Sequence, residues 1–124
     1  MLTCWGNNYF NQLVVPAQYF KAAFVSAGYY HTCAISGGQL GCWGDDEYQQ
    51  LQLPKEIEQQ THTMVTTGVK QTCAINDQHH LSCWGKDVIV PKKLRKNIKY
   101  INSSENNCAV SLQGGISCWG DNFK

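Results

Sequence analysis

The chain contains no apolar run approaching the ~20 residues that a membrane-spanning helix requires, so no membrane insertion is expected. Its first residues enter a repeat strand directly, without the charged and apolar regions of a secretory signal. Net charge is only +1; such a chain has no global field to gather nucleic acid, and no nucleic-acid partner is expected. No Cys-x-x-Cys occurs, which leaves a zinc site needing thiolates from separate repeats in tetrahedral geometry. Paired carboxylates, a glycine-rich phosphate loop and a Ser-His-Asp set are also missing. No cofactor, metal or enzymatic activity is therefore expected. Helix is scarce: the one helical-looking stretch, Lys55 to Gln60, is too short to be stable alone.

What the chain does have is Cys-Trp-Gly, four times, with tryptophans at 5, 43, 84 and 119. The remaining cysteines, Cys33, Cys73 and Cys108, each fall nine or ten residues before such a motif. A period near forty with one aromatic-glycine signature per unit marks an array of blades or coils. The reading is a single array over 1–124: an orphan blade strand at 1–6, units at 7–44, 45–85 and 86–120, and a stub at 121–124. The third unit is shorter than the others and is read as carrying Ser103 where they have Gly28 and Gly68.

Two-residue loops of glycine favour tight hairpins, and Gly37-Gly38 sets a register with Ile35 opposite Leu40 and Cys33 opposite Cys42. Equivalent hairpins centre on Gln78 and Gln113, opposing Cys73 to Cys83 and Cys108 to Cys118. Side chains alternate across a strand, so Cys33, Ile35, Leu40 and Cys42 share one face. Thr32, Ala34, Gly41 and Trp43 share the other, where small residues leave room for an indole. Both faces read as buried, with Trp5, Trp43, Trp84 and Trp119 packing blade against blade. The expected fold is all-β, a β-propeller arc of about three blades with about four strands in each. A closed ring needs roughly four to eight blades, so the array is either part of a longer chain or completed by self-association.

Directly opposed, non-hydrogen-bonded residues lie about 4.5 Å apart in Cα, within disulfide range. Cross-strand bonds at Cys33–Cys42, Cys73–Cys83 and Cys108–Cys118 are thus geometrically reasonable. The alternative is that all six are reduced, small, buried side chains. Cys4 has no partner strand and is expected to be a free thiol. If the pairs are oxidised, an extracellular or cell-surface location is favoured. His31 precedes Cys33, but its counterparts are Gln71 and Asn106, which marks a hydrogen-bonding position rather than a catalytic base. Charge is local: Lys92, Lys93, Arg95, Lys96 and Lys99 crowd one loop, and Asp45, Asp46 and Glu47 another. Asn102-Ser103-Ser104 matches a glycosylation acceptor, but such tripeptides arise often by chance and its neighbours read as an inner strand.

The segment Phe24-Val25-Ser26-Ala27-Gly28-Tyr29-Tyr30-His31-Thr32-Cys33-Ala34-Ile35, followed by Leu40-Gly41-Cys42-Trp43-Gly44, resembles the repeat of the regulator of chromosome condensation superfamily. Asn8-Tyr9-Phe10-Asn11-Gln12-Leu13 matches its closing turn, with Asn11 where glycine is usual. The paired cysteines and short period are most similar to its bacterial members and to plant crinkly-type receptor ectodomains. That resemblance implies seven-bladed propellers used for binding. The function expected is a non-enzymatic protein-protein interaction module with a protein partner. Its contact residues are expected among Tyr9, Phe10, Tyr48, Lys92, Lys93, Arg95 and Lys96. The alternative is a guanine nucleotide exchange factor for a small GTPase.

Overall fold

Three antiparallel sheets of three strands follow one another along the chain in a computed structural model, which describes residues 2–6, 8, 12–45, 51–85, 89–104 and 106–120. The first holds β1 (Phe24–Ala27), β2 (His31–Ser36) and β3 (Gln39–Gly44). The second holds β4 (His62–Thr67), β5 (Gln71–Asn76) and β6 (Leu81–Gly85). The third holds β7 (Ile98–Ser103), β8 (Asn106–Ser111) and β9 (Ile116–Gly120). The protein is all-β, an arc of propeller blades.

The expectation of four strands per unit is corrected to three among the described residues. Where a fourth would run, Pro16, Pro54 and Pro91 each start a single helical turn: a 3-10 turn at Ala17–Tyr19, α1 at Lys55–Glu58 and a 3-10 turn at Lys92–Leu94. Proline's fixed φ and missing N–H suit the start of such a turn and break a ladder. In α1 the Pro54 carbonyl accepts from the N–H groups of Ile57 and Glu58 at 2.9 and 3.0 Å.

The hairpin registers are those the cysteine pairs imply. Cys33 faces Cys42, Cys73 faces Cys83 and Cys108 faces Cys118, and all three pairs are disulfides with Cα atoms 4.0 Å apart. Gly37 and Gly38 take φ of +59° and +82°, and Gly114 takes +93°. The second hairpin lacks a glycine, so His79 takes the left-handed conformation at φ +64°. The Asn76 side-chain oxygen accepts from the N–H groups of Gln78 and His80 at 2.9 and 3.0 Å, holding that turn.

Alternation then decides the packing. The cystine face of the first sheet (Cys33, Ile35, Leu40 and Cys42) joins Val65, Ala74 and Trp84 of the second in one buried cluster. The cystine face of the second, with Ile75 and Leu81, joins Ile101, Ala109 and Trp119 of the third. Each joint is one cystine face against one tryptophan face, so the stack is directional. The outer faces show the rule by exception. Val25 is 45% exposed where Val65 is 1% and Ile101 0%; Ile116 is 73% exposed where Leu81 is 3%.

Polar groups stitch the same joints. The His31 imidazole Nε2 lies 3.0 Å from the Thr72 hydroxyl, and Gln71 donates to the Asn107 side-chain oxygen one joint later. Ser26 and Thr67 hydroxyls meet at 3.0 Å, and the Ser103 N–H donates to the Thr66 hydroxyl at 3.1 Å. At these strand ends the backbones come close. A Cβ on Gly28 would lie 2.9 Å from the Thr67 side chain, and one on Gly68 2.5 Å from the Ser104 carbonyl oxygen. The third unit needs a correction here. Ala27 pairs Thr32, Thr67 pairs Thr72 and Ser103 pairs Asn107, so its loop is one residue shorter. Ser104, and not Ser103, occupies the glycine position.

Candidate functional site

The tryptophans divide by the joint they serve. Trp43 and Trp84 are buried, and Trp119 is half-buried against the second sheet's cystine face. The Trp43 indole N–H donates to the Gln12 carbonyl at 2.8 Å, and its ring stacks on Tyr19 with centroids 5.8 Å apart. Tyr19 fits because it lies over Gly41: a Cβ there would sit 2.0 Å from its hydroxyl oxygen. Burial raises the Tyr19 phenol above its ordinary pKa, so it stays neutral. Trp5 is a correction to the blade-packing set, since it is 83% exposed. Its neighbour Cys4 packs toward Tyr19, Ala34 and Trp43. Alternation therefore turns Trp5 outward, where no sheet lies among the described residues. Cys4 is a free thiol, half-buried.

Among the described residues, two exposed clusters lie at opposite ends of the blades. At the end where first strands finish, Tyr29 and Tyr30 are 58% and 42% exposed and meet edge to face at 6.4 Å. At the hairpin-tip end lies the loop that precedes β7. Lys92, Lys93, Arg95, Lys96 and Lys99 are all exposed, and residues 88–104 contain no carboxylate. Tyr100 beside them is 47% exposed. Leu94 is buried beneath this loop as its anchor. The Arg95 carbonyl accepts from the Leu81 N–H at 2.9 Å, and the His79 carbonyl from the Ile98 N–H at 3.0 Å. The Arg95 side chain donates from Nε to the Val90 carbonyl at 3.0 Å. The loop backbone is thus pinned to the neighbouring hairpin while its charges point outward. Sequence reasoning located these cations but not their anchor; the buried leucine three residues after Pro91 was the available signal. Tyr9, Phe10 and Tyr48, along with Asp46 and Glu47, lie outside the described residues.

His62 sits where the second sheet meets the preceding hairpin. His62 is buried at the start of β4, and its backbone N–H donates to the Gly38 carbonyl of the preceding hairpin at 2.9 Å. Desolvation lowers its pKa from 6.5, against smaller opposing contributions from the Gln60 backbone and the Asp77 charge. The folded protein therefore holds His62 neutral where the unfolded chain would already bind a proton. Stability is full above the unfolded value of about 6.5 and falls as pH drops from there toward the folded pKa. Position 98, the equivalent in the third sheet, carries a buried isoleucine. The stability advantage of His62→Ile over the wild type is expected to grow between pH 7 and 5, read by urea unfolding. An advantage independent of pH would show that His62 does not titrate across folding.

No protein-family model matches the chain. Among solved structures it is similar to the entire ectodomain of the Physcomitrella patens receptor kinase CR4, with a TM-score of 0.76 and 24% identity, covering 98% of this chain and 34% of that one. The crinkly WD40 ectodomain of the Arabidopsis thaliana receptor kinase ACR4 gives a TM-score of 0.68 at 23% identity, covering 81% and 37%. Yeast RCC1 (Prp20), solved bound to Kap60, gives 0.71 at 16% identity, covering 94% and 38%. The chain spans little more than a third of each. Three disulfide-clipped blades, stacked cystine face to tryptophan face, have the fold of an arc of an RCC1-like, crinkly-type β-propeller.

Proposed function

We propose that the chain is a non-enzymatic, extracellular interaction module whose loop over 91–100 holds an acidic stretch of a protein partner. The observation that carries this reading is a comparison within the molecule. The proline-initiated turn occurs in all three units, and each buries one apolar anchor: Tyr19, Ile57 and Leu94. The anchor is what the fold needs. The cations are not repeated, since the turn and its flank carry only Lys21 in the first unit, and Lys55 beside Glu56 and Glu58 in the second. Five cations within eight residues, presented on a pinned backbone, lose little loop entropy on binding. Three disulfides support an oxidising compartment.

Exposed charges are individually weak and screened by salt, so the interaction should depend on several of them together. A fluorescent glutamate-rich peptide of about 20 residues should bind at low ionic strength and be released near 0.5 M salt, where the screening length is only about 4 Å. The combined K92E, K93E and K96E variant should weaken binding at least tenfold with an unchanged unfolding midpoint. Unaltered binding by that variant would overturn the assignment of this loop. Accelerated nucleotide release from a small GTPase would replace the reading with the exchange-factor alternative.

A further inference from the structure

We infer that His79, at the tip of the second hairpin, is a further contact of the acid-binding surface and makes its hold on a partner tighten as pH falls; this rests on the reading of the 91–100 loop given above. Each of the first two hairpin tips is clasped by the loop that leads into the next sheet. At the first clasp the His62 N–H donates to the Gly38 carbonyl at 2.9 Å; at the second the Ile98 N–H donates to the His79 carbonyl at 3.0 Å. Gly38 and His79 therefore occupy the same position, and both are left-handed, at φ +82° and +64°. A Cβ on Gly38 would lie 2.6 Å from the Thr61 side chain, so a side chain at this position is aimed at the last residue before the next sheet. In the third unit that residue is Asn97, in the cationic loop.

His79 and Asn97 are the only non-glycine residues with positive φ among the described residues, at +64° and +61°. They face each other across this one clasp. Glycine adopts such a conformation freely, whereas other residues reach it at a cost. The third tip follows the first: Gly114 donates to the Ser111 carbonyl at 2.9 Å, as His79 does to Asn76 at 3.0 Å, and takes φ +93°. Only the tip joined to the cationic loop gives up glycine for an imidazole. A backbone cost kept at one of three equivalent tips points to a side chain retained for more than the turn. Both elements lie between sheets of the described chain, so the contact does not depend on either open face.

The charge around His79 is nearly all of one sign. Lys92, Lys93, Arg95, Lys96 and Lys99 lie on the clasped loop and the strand it enters, and the third tip, 111–116, carries no titratable group. The second tip adds His80 and one carboxylate, Asp77, whose N–H donates to the Thr61 carbonyl at 2.9 Å; the turn before Thr61 carries Lys55, Glu56 and Glu58. His79 is exposed. The Leu81 N–H donates to the Arg95 carbonyl at 2.9 Å, so imidazole and cations are carried on one pinned backbone. Histidine is the side chain whose charge changes between pH 5 and 8, and a carboxylate-rich ligand laid against it favours the protonated form. Binding then takes up a proton, and affinity rises as pH falls. Lysine, arginine and glutamate keep their charges between pH 8 and 6, so a change over that interval reports histidine.

The test is titration of the full chain with the fluorescent glutamate-rich peptide at pH 8 and at pH 6, at one low ionic strength. Wild-type affinity is expected to rise about two- to fivefold at the lower pH, the effect of one added exposed charge pair. His79→Asn tolerates the left-handed turn; it should bind like the wild type at pH 8 and gain nothing at pH 6, while His80→Asn keeps the gain. His79→Gly should lose the gain with an unchanged or raised urea-unfolding midpoint, which separates a contact from a prop for the turn. A gain that survives in His79→Asn, or no gain in the wild type, would overturn the inference, and salt-released binding at pH 8 would then leave the assignment of the loop standing. No peptide binding at either pH would overturn both.

Discussion

Trp84→Ala should destabilise the protein by about 3–5 kcal/mol, the cost of deleting a buried aromatic that its surroundings cannot collapse to fill. Trp84 is 6% exposed and belongs to the cluster with Cys33, Ile35, Ile57, Val65 and Ala74. It is the main apolar bridge between the first and second sheets. Small domains hold only about 5–15 kcal/mol in total, so the loss is a large share of what keeps the blades stacked. Trp5 supplies the control. The same change there removes a side chain that is 83% exposed and should move stability by no more than about 0.5 kcal/mol. The hairpins remain clipped by their disulfides in Trp84→Ala, so the expected signature is lost near-ultraviolet signal at lower urea with partial retention of strand signal. Two variants with the same unfolding midpoint would mean that the cystine and tryptophan faces do not carry the stack.

The sequence made the hairpins legible because three independent constraints coincide in them. The glycine pair fixes a turn, the cysteines fix opposed positions, and alternation assigns faces, so Cys33 to Cys42 could hardly pair otherwise. It made the blade-on-blade contact legible through the small residues beside each indole. It did not reveal the direction of stacking, because both faces of an inner sheet are apolar and only contact with a neighbour distinguishes them. Trp5 reads like its three counterparts, and its exposure depends on a sheet that the first six residues cannot form by themselves. A fourth strand per unit does not follow from the period; after Pro54 the helical look of Lys55 to Gln60 is real over Lys55–Glu58, and the equivalent turns after Pro16 and Pro91 are identified only by hydrogen bonds back to each prolyl carbonyl. Counting back from Cys108 passes over a loop one residue shorter, so the spacing points to Ser103 while the register puts Ser104 at the glycine position. The charged loop was visible as composition, but the rigidity that makes it a surface comes from Leu94 and from bonds to another hairpin.

Gly85→Ala should cost about 2–6 kcal/mol by two separable routes, the first of which every motif glycine shares. The four motif glycines, Gly6, Gly44, Gly85 and Gly120, have φ between +114° and +128°. L-residues rarely adopt that region, and forcing one there costs of order 1–3 kcal/mol. The second route is contact. A Cβ on Gly85 would lie 2.3 Å from the Lys70 carbonyl oxygen and 2.8 Å from the Gln71 Cα. Both are backbone atoms, one in β5 and one in the residue that leads into it, where Gly85 pairs with Gln71; neither can swing aside like a side chain, and overpacking of this kind costs about 1–3 kcal/mol. Gly6 separates the two routes. It shares the positive φ, at +116°, yet a Cβ there meets nothing within 4 Å. Gly6→Ala should therefore show the conformational part alone, at about 1–3 kcal/mol. The difference between the two variants in urea-unfolding free energy measures the clash against the β5 backbone. Equal losses would show that strand pairing at Gln71 yields to the new methyl group, and that the motif glycine is required for its dihedral angle alone.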